Sequence, residues 1–217
     1  MRGTLEERER ILRDFLANEK SRIALACHSM ARAFARGGTL LAYGTGAAET
    51  DAAHIAVEFM HPVIVGKRAL PALAPPNDVF ALMRPGDIAV GIEEDAARFL
   101  EQARARELLT ISFDAGPADF AFAVPATDPH LRQEVHETTY HVLWELVHVF
   151  FEHPGLLDEA CITCGDVAVE AEVVAVAEGT AVIEKDGVRE EIAVDLVKRV
   201  EIGDTLLCHA GVALEKL

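Results

Sequence analysis

The chain has 217 residues, of which 51% are hydrophobic, and it carries 36 acidic against 20 basic side chains, a formal net charge of −16 at pH 7. This length suits one domain of ordinary size and a second, small one, and the hydrophobic share excludes a largely disordered chain. The negative charge disfavours binding to nucleic acid or to an anionic membrane surface. Charged residues crowd the N-terminus, and the apolar run 142–151 is too short to span a membrane. We therefore expect a cytoplasmic protein.

The first 155 residues alternate between helical and strand-like patterns. Apolar residues at spacings of three, four and seven predict a long helix from Leu5 to about Phe34. The remaining predicted elements, in chain order, are strand 39–43, helix 51–60, strands 63–65 and 87–92, helix 95–106, strands 108–113 and 120–124, and a helix from about 130 to 151. The proline-rich stretch 71–77 breaks this pattern where a helix is expected. Alternating strands and helices predict an α/β/α sandwich with a central parallel sheet over residues 1–155.

Residues 156–217 have a different character. Runs of alternating or β-branched residues at 167–176, 180–185, 190–194 and 205–208 are separated by glycine-containing turns. Short strands, tight turns and the lack of a long helical pattern predict a small all-β, OB-like barrel as a second domain.

Polar side chains recur along two of the predicted helices. His54 and Glu58 are four residues apart, and Gln133, Glu137 and His141 follow one another at intervals of four. If the two helices face each other, this set suits proton transfer between adjacent carbons or the binding of a divalent metal such as zinc. From the spacing alone, solvated or structural roles for these side chains are the commoner alternative.

Two motifs resemble the phosphoheptose isomerase branch of the SIS domains. They are the segment from Leu40 to Glu58, which contains Gly44-Thr45-Gly46 and Asp51, and the segment that begins Gln133-Glu-Val-His136 and includes His141. The resemblance covers roughly residues 1–152. It implies an active site lined by His54, Glu58, Gln133 and His141 that binds zinc.

The same resemblance implies roles for individual residues. Glu58 and His141 would act as base and acid in aldose–ketose isomerisation, and Gly44, Thr45, Gly46 and Asp51 would form the ligand loop. It also implies a homodimer or homotetramer.

The sequence departs from that family where a phosphate group should bind. Glu93-Glu94-Asp95 follows the third predicted strand, where the family has residues rich in Ser, Thr and Gly. Carboxylates there repel a phosphate dianion, each at a cost on the order of 1 kcal/mol even in a high dielectric. The first glycine loop also has Ala47-Ala48 in place of a serine. Gly44-Thr-Gly46 lacks the third glycine of a dinucleotide-binding motif, which excludes that class.

Three of the four cysteines lie in the second domain. Cys161 and Cys164 form a CxxC pair, and Cys208 precedes His209. A redox pair, a structural zinc site and simple burial all remain open for these groups, and burial suits Cys208 and Cys27 best.

The C-terminal segments 186–197 and 203–217 resemble the HypC/HupF hydrogenase-maturation chaperones, over about residues 160–217. This resemblance implies that Cys161 and His209 hold iron, with Cys164 as an additional thiol. It implies a [NiFe]-hydrogenase large subunit and a HypD-like scaffold protein as partners. Thiolate and imidazole are reasonable ligands for low-spin Fe(II).

Two functions of different classes follow. The first is a [NiFe]-hydrogenase maturation factor, in which the barrel binds iron or a hydrogenase partner and the SIS-like domain is an oligomeric scaffold or a ligand-binding domain. The alternative is a metal-dependent sugar or sugar-phosphate isomerase with an accessory barrel. The segment Glu93-Glu94-Asp95 argues against the alternative, and catalytic activity stays open.

Overall fold

The computed structural model describes residues 4–75, 81–114, 116–152, 157, 168–185 and 187–217. The chain forms two compact units, residues 1–19 with 32–145 and residues 20–31 with 146–217. The parallel sheet belongs to the first unit and the barrel to the second. The predicted domain boundary near residue 155 stays a prediction, because residues 153–156 lie outside the described ranges.

A five-stranded parallel sheet forms the centre of the first unit. Its strands are β1 (Leu40–Tyr43), β2 (Ala72–Leu73), β3 (Ile88–Ile92), β4 (Leu109–Phe113) and β5 (Phe120–Ala121), in the order β2-β1-β3-β4-β5. β3 is buried along its whole length and β4 over its last four residues, as expected when helices cover both faces of a sheet. The predicted parallel α/β architecture is confirmed.

One predicted strand is wrong. Residues 63–65 are exposed and outside the sheet, and Val65 is fully accessible to solvent. The edge strand comes instead from Ala72–Leu73, inside the proline-rich stretch 71–77, and it pairs with β1 through Leu40 and Leu41. The apolar character of 63–65 gave a false strand signal, because an apolar triplet alone does not specify pairing.

Among the described residues, the α-helices are α1 (Leu5–Ala35), α2 (Ala48–Met60), α3 (Ala97–Arg104) and α4 (Pro129–Glu152), and a 3-10 turn at Glu94–Ala96 precedes α3. Helix α1 begins where the Thr4 hydroxyl accepts a hydrogen bond from the Glu7 backbone N–H at 3.2 Å. Buried Asp87, which precedes β3, accepts backbone N–H groups of Thr39 and Arg84 at 2.8 and 2.9 Å and so fixes the start of two neighbouring strands.

The second unit contains a closed five-stranded barrel, which confirms the predicted all-β module. Its strands are β6 (Val169–Val176), β7 (Thr180–Lys185), β8 (Val188–Ala193), β9 (Thr205–His209) and β10 (Val212–Lys216), in the order β10-β8-β7-β6-β9. The strand patterns located β6 to β9 but missed β10, which closes the barrel by pairing antiparallel with β9 and parallel with β8.

Two cysteines lie in apolar surroundings. Cys208 is fully buried in the barrel core with Val173, Ile183 and Leu206, and burial raises the pKa of its thiol to about 12. Burial also raises the pKa of the Cys27 thiol. Both side chains are therefore protonated core residues near neutral pH.

Within the described residues, no helix is both long and apolar enough to cross a membrane.

Candidate functional site

Helices α2 and α4 bring together the side chains that the sequence placed on facing helices. His54 Nε2 lies 3.3 Å from Glu58 Oε1 on α2, and the ring centroids of His54 and His141 are 5.1 Å apart. One potential ligand atom from each of these three residues lies within 4.8 Å of the other two. Glu137, on the same helix as His141, has its carboxylate 3.8 Å from His54 Nδ1.

Tyr140 connects this cluster to a neighbouring carboxylate. Its hydroxyl lies 2.9 Å from His54 Nδ1 and also hydrogen-bonds with Asp51. If the hydroxyl donates its proton to the Asp51 carboxylate, its oxygen accepts the N–H at His54 Nδ1. His54 Nε2 then carries the lone pair and points toward Glu58, in the tautomer that a metal ligand requires.

Two more contacts join α2 to α4. The Trp144 indole N–H donates to the backbone carbonyl of Glu58 at 2.8 Å. The Gln133 amide donates to the two carboxylate oxygens of Asp51 at 3.1 and 3.4 Å. The structure thus places Gln133 near the cluster with its N–H₂ group on Asp51, and its role as a fourth ligand stays a prediction.

The electrostatic environment of the cluster is negative. Burial raises the pKa of Tyr140, and the carboxylates of Asp51, Glu137 and Glu58 raise it further. Burial also raises the pKa of Asp51, with a smaller contribution in the same direction from Glu137. Such surroundings favour a bound cation, because a positive charge relieves the repulsion among these carboxylates.

The glycine loop after β1 is shaped by two glycines. A Cβ at Gly44 would lie 2.5 Å from the carbonyl oxygen of Ala48, so only glycine lets the loop pack against the first turn of α2. Gly46 has φ +58°, in the left-handed region. Between them, the Thr45 hydroxyl donates to Asp95 Oδ2 at 2.8 Å, which ties this loop to the acidic segment after β3.

The geometry of His54, Glu58 and His141 fits a zinc ion. Two ligands of a tetrahedral zinc, at bond lengths near 2.1 Å, lie roughly 3.4 Å apart, close to the observed separation of His54 Nε2 and Glu58 Oε1. The donors are two imidazoles and one carboxylate, which are regular zinc ligands, and the side chain of His54 is 36% exposed. A metal held here would have room for a solvent or substrate ligand.

Of the predicted iron ligands Cys161 and His209, the structure describes only His209. His209 is buried at the end of β9. Cys161 and Cys164 lie outside the described residues, so their pairing with His209 stays a prediction. A structural zinc site that includes Cys208 is not supported, because that thiol is packed in the core and its pKa is raised.

Sequence patterns missed two residues that shape the site. Tyr140 and Trp144 lie on the same side of α4 as Gln133, Glu137 and His141, at spacings of three and four. That spacing was available as a signal, but aromatic residues on an amphipathic helix usually indicate core packing. Only the contacts with α2 distinguish these two from ordinary core residues.

The fold agrees with two family models. A model described as the SIS domain matches residues 5–116, and a model described as the HupF/HypC family matches residues 167–217. The first match spans more than half of the chain, so the chain belongs to the SIS domain family. More specifically, it is a SIS-domain protein of the phosphoheptose isomerase type with a HupF/HypC-family domain at its C-terminal end.

Curated relatives support this classification. A phosphoheptose isomerase from Thermodesulfovibrio yellowstonii is 32% identical over 188 residues, which cover 71% of this chain and 94% of the relative. A phosphoheptose isomerase from Aquifex aeolicus is 33% identical over 150 residues, or 54% of this chain and 78% of the relative.

Solved structures show the same fold. The phosphoheptose isomerase from Neisseria gonorrhoeae aligns with a TM-score of 0.57 at 22% identity, covering 65% of this chain and 93% of that structure. One from Francisella tularensis gives a TM-score of 0.53 at 21% identity, covering 68% and 99%.

The contact between Tyr140 and His54 predicts a loss of metal affinity in Tyr140→Phe. Without the hydroxyl, His54 loses the partner that fixes its tautomer, and such partners typically change metal affinity about 10- to 100-fold. We expect zinc competition titrations to show a weaker dissociation constant by about that factor. Tyr43→Phe, which keeps the ring stacked on Phe99, is the matched control. Equal zinc affinity in both variants would contradict the orienting role.

Because the pKa of His136 on α4 is lowered, we expect the free energy of unfolding to depend on pH. Burial lowers the pKa of its imidazole to about 4, and Arg132 acts in the same direction, against the opposing effect of Asp114. The unfolded chain, with a histidine pKa near 6.5, therefore binds the proton more readily. The contribution of neutral His136 to stability is present above about pH 6.5 and is lost as the pH falls toward 4, by up to about 3 kcal/mol.

The test is chemical denaturation of the wild type and His136→Gln between pH 4 and 7. We expect the variant to show a flatter dependence of the free energy of unfolding on pH. His61→Gln, at an exposed histidine, should keep the wild-type slope. The same slope in His136→Gln and the wild type would show that His136 is protonated equally in the folded and unfolded states.

Proposed function

We propose that this protein is a [NiFe]-hydrogenase maturation factor. In this proposal the barrel engages the hydrogenase large subunit or a HypD-like scaffold protein and handles iron through Cys161 and His209. The SIS unit is an oligomeric, metal-holding and ligand-binding scaffold. The observation that carries the proposal is the coincidence of the closed barrel β6–β10 with the residues that match the HupF/HypC family.

The chemistry of the barrel is compatible with this role. Cys208 is occupied in core packing, so the thiols left for metal chemistry are Cys161 and Cys164, before the first barrel strand. His209 immediately follows Cys208 in β9, and its imidazole is a suitable second ligand. Iron is here the cargo that the barrel transfers, while the cluster in the SIS unit would keep its own metal.

An acidic cavity in the SIS unit favours a scaffold role over a phosphosugar isomerase. A cavity next to the glycine loop is lined by Glu93, Asp95 and Asp114 and has Arg132 as a single cationic counterpart. A phosphate dianion near these carboxylates is repelled by about 1 kcal/mol per charge pair at 4 Å in water, and by more where water is excluded. This repulsion would weaken the binding of a sugar phosphate relative to a neutral or cationic ligand.

The maturation role predicts a difference between two neighbouring thiols. The wild-type chain, co-expressed with the hydrogenase large-subunit precursor and the scaffold protein and purified without oxygen, should carry iron and retain a partner. Cys161→Ser should lose the iron, whereas Cys164→Ser should keep most of it. Elemental analysis and mass spectrometry of the co-purified proteins measure both effects.

Glu58→Ala is the control for metal in the other unit, and it should remove zinc without affecting iron. Wild-type protein with neither iron nor a hydrogenase partner would overturn the maturation proposal. If iron persists in Cys161→Ser, Cys161 is not an iron ligand and the iron is bound by other residues.

A second candidate function is supported by the convergence of His54, Glu58 and His141. In a metal-dependent aldose–ketose isomerase, the Glu58 carboxylate would remove a proton from the carbon next to the carbonyl. His141 would protonate the carbonyl oxygen to give an enediol. The bound metal would polarise the substrate's oxygens. The 32% identity to a phosphoheptose isomerase favours this candidate, and the acidic cavity argues against a phosphorylated substrate.

The isomerase candidate predicts a large effect at Glu58. If the protein isomerises a phosphoheptose, Glu58→Gln should lower kcat by about 10²- to 10⁴-fold, the usual contribution of a general base. Glu137→Gln, at the next carboxylate near His54, should change kcat far less. Incorporation of solvent deuterium at the carbon next to the carbonyl, followed by NMR, measures the reaction. Wild-type protein that exchanges no deuterium would eliminate this candidate for that substrate.

A further inference from the structure

Side chains of α2 and α4 form a chain of hydrogen bonds that ends on a histidine of the metal-capable cluster. The Gln133 amide donates to the Asp51 carboxylate at 3.1 and 3.4 Å, and Asp51 also hydrogen-bonds with the Tyr140 hydroxyl. That hydroxyl lies 2.9 Å from His54 Nδ1. On the other side of the ring, His54 Nε2 lies 3.3 Å from Glu58 Oε1. Asp51 is therefore linked to the cluster, although it is not one of the three residues that could share an ion.

The chemistry of these groups limits the direction of each hydrogen bond. An ionised carboxylate only accepts hydrogen bonds, and a tyrosine hydroxyl has a single proton to donate. The bond between Asp51 and Tyr140 therefore uses that proton, and the Tyr140 oxygen is left as an acceptor. This oxygen can bond with His54 only when the ring carries its proton on Nδ1.

The structure also contains the groups that would stabilise the opposite tautomer. With its proton on Nε2, the His54 ring would donate to Glu58, and Nδ1 would need a donor. The hydroxyl of Tyr140 is close enough to be that donor, whereas the carboxylate of Glu137, 3.8 Å from Nδ1, is too far for a hydrogen bond. The direction of the Tyr140 proton thus decides between the two tautomers. Donation to Asp51 favours Nδ1–H, and donation to His54 favours Nε2–H.

Packing keeps the Tyr140 hydroxyl between its two partners. Tyr140 is 3% exposed, and its ring lies against those of Phe113, His54 and His141, at centroid distances of 6.1, 5.4 and 5.0 Å. A ring packed on several sides does not move its oxygen freely. The hydroxyl hydrogen, by contrast, rotates toward the better acceptor without any movement of the ring. The acceptor strength of the neighbouring group is therefore what determines the direction of the bond.

We propose that Asp51 is a positioning residue for the metal site of the SIS unit. By accepting the hydrogen bond of Tyr140, its carboxylate selects the Nδ1–H tautomer of His54 and leaves the Nε2 lone pair available to a metal. Gln133 holds the carboxylate in place. This role rests on the metal-holding function proposed for the SIS unit, differs from the ligand-loop role that the family resemblance implies for Asp51, and requires nothing of the barrel.

The tautomer of His54 can be measured in the metal-free, full-length protein at about pH 8, far above the usual pKa of a carboxyl group. Two-bond proton–nitrogen correlation spectra of protein with isotope-labelled histidine distinguish the two tautomers, and His54→Gln identifies the signals of His54. We expect Nδ1–H in the wild type. In Asp51→Leu the Tyr140 hydroxyl has lost its acceptor and should donate to Nδ1, so the ring should change to Nε2–H. An Nε2–H ring in the wild type would overturn the proposal, whether or not the variant folds.

Zinc competition titrations measure the consequence for the metal. Asp51→Leu should weaken zinc binding by about 10- to 100-fold, the usual effect of losing a group that orients a metal ligand. Asp51→Asn should stay close to the wild type, because an amide oxygen still accepts the hydrogen bond from Tyr140. Glu49→Leu, which removes an exposed carboxylate from the same first turn of α2, is the matched control and should bind zinc like the wild type.

The same titrations separate orientation from simple attraction between a carboxylate and a cation. If charge alone acts, Asp51→Asn and Asp51→Leu weaken zinc binding equally, because both remove the charge. If Asp51 acts through the hydroxyl, Asp51→Leu adds little to the loss in Tyr140→Phe. An equal loss in the two Asp51 variants, or full additivity with Tyr140→Phe, would contradict the positioning role. The tautomer is measured without metal, so a wild-type protein that binds no zinc would count against the metal-holding function alone.

Discussion

The hydrogen bonds that hold α2 against α4 are the constraint on which the metal-capable cluster depends. Trp144 bonds to the backbone of Glu58, Tyr140 to His54, and Gln133 to Asp51, one contact near each end of α2 and one between them. Each bond joins residues more than 80 positions apart in the chain. Without them, His54 and Glu58 would remain neighbours on one helix, but the position of His141 relative to them would be less constrained.

These contacts also determine the electrostatics of the site. Asp51, Glu58 and Glu137 converge on a half-buried region, where burial raises the pKa of both Asp51 and Tyr140. The negative charge of Asp51 is costly in these surroundings, and a bound cation or a donated hydrogen bond relieves it. A Tyr140 hydroxyl that donates a hydrogen bond to Asp51 leaves the lone pair of His54 Nε2 available. In that arrangement one side chain orients a metal ligand and offsets part of the negative charge around it.

The sequence predicted those parts of the fold and site that depend on local periodicity. The spacing of His54 and Glu58, and of Gln133, Glu137 and His141, placed these residues on two helices, and the family resemblance supplied the pairing between the helices. Tyr140 was missed because an aromatic residue in a buried stripe is usually core, and only its partner on α2 reveals the hydrogen bond. Strand β2 was missed because a strand of two residues has no periodic signal. Strand β10 was missed because it follows β9 after only two residues, and its sequence did not stand out from the turn.

A metal-capable cluster and an acidic cavity in the same unit are physically consistent. The cluster requires neutral imidazoles and a carboxylate at short range, and additional negative charge nearby strengthens the binding of a cation. Phosphate binding requires the opposite: convergent donors and a positive local potential. Carboxylates at Glu93 and Asp95 therefore oppose phosphate binding and leave the cluster unharmed. Thr45 donates to Asp95, so a hydroxyl of the glycine loop is already engaged in holding an acid in place. That contact stabilises the acidic lining as part of the folded unit.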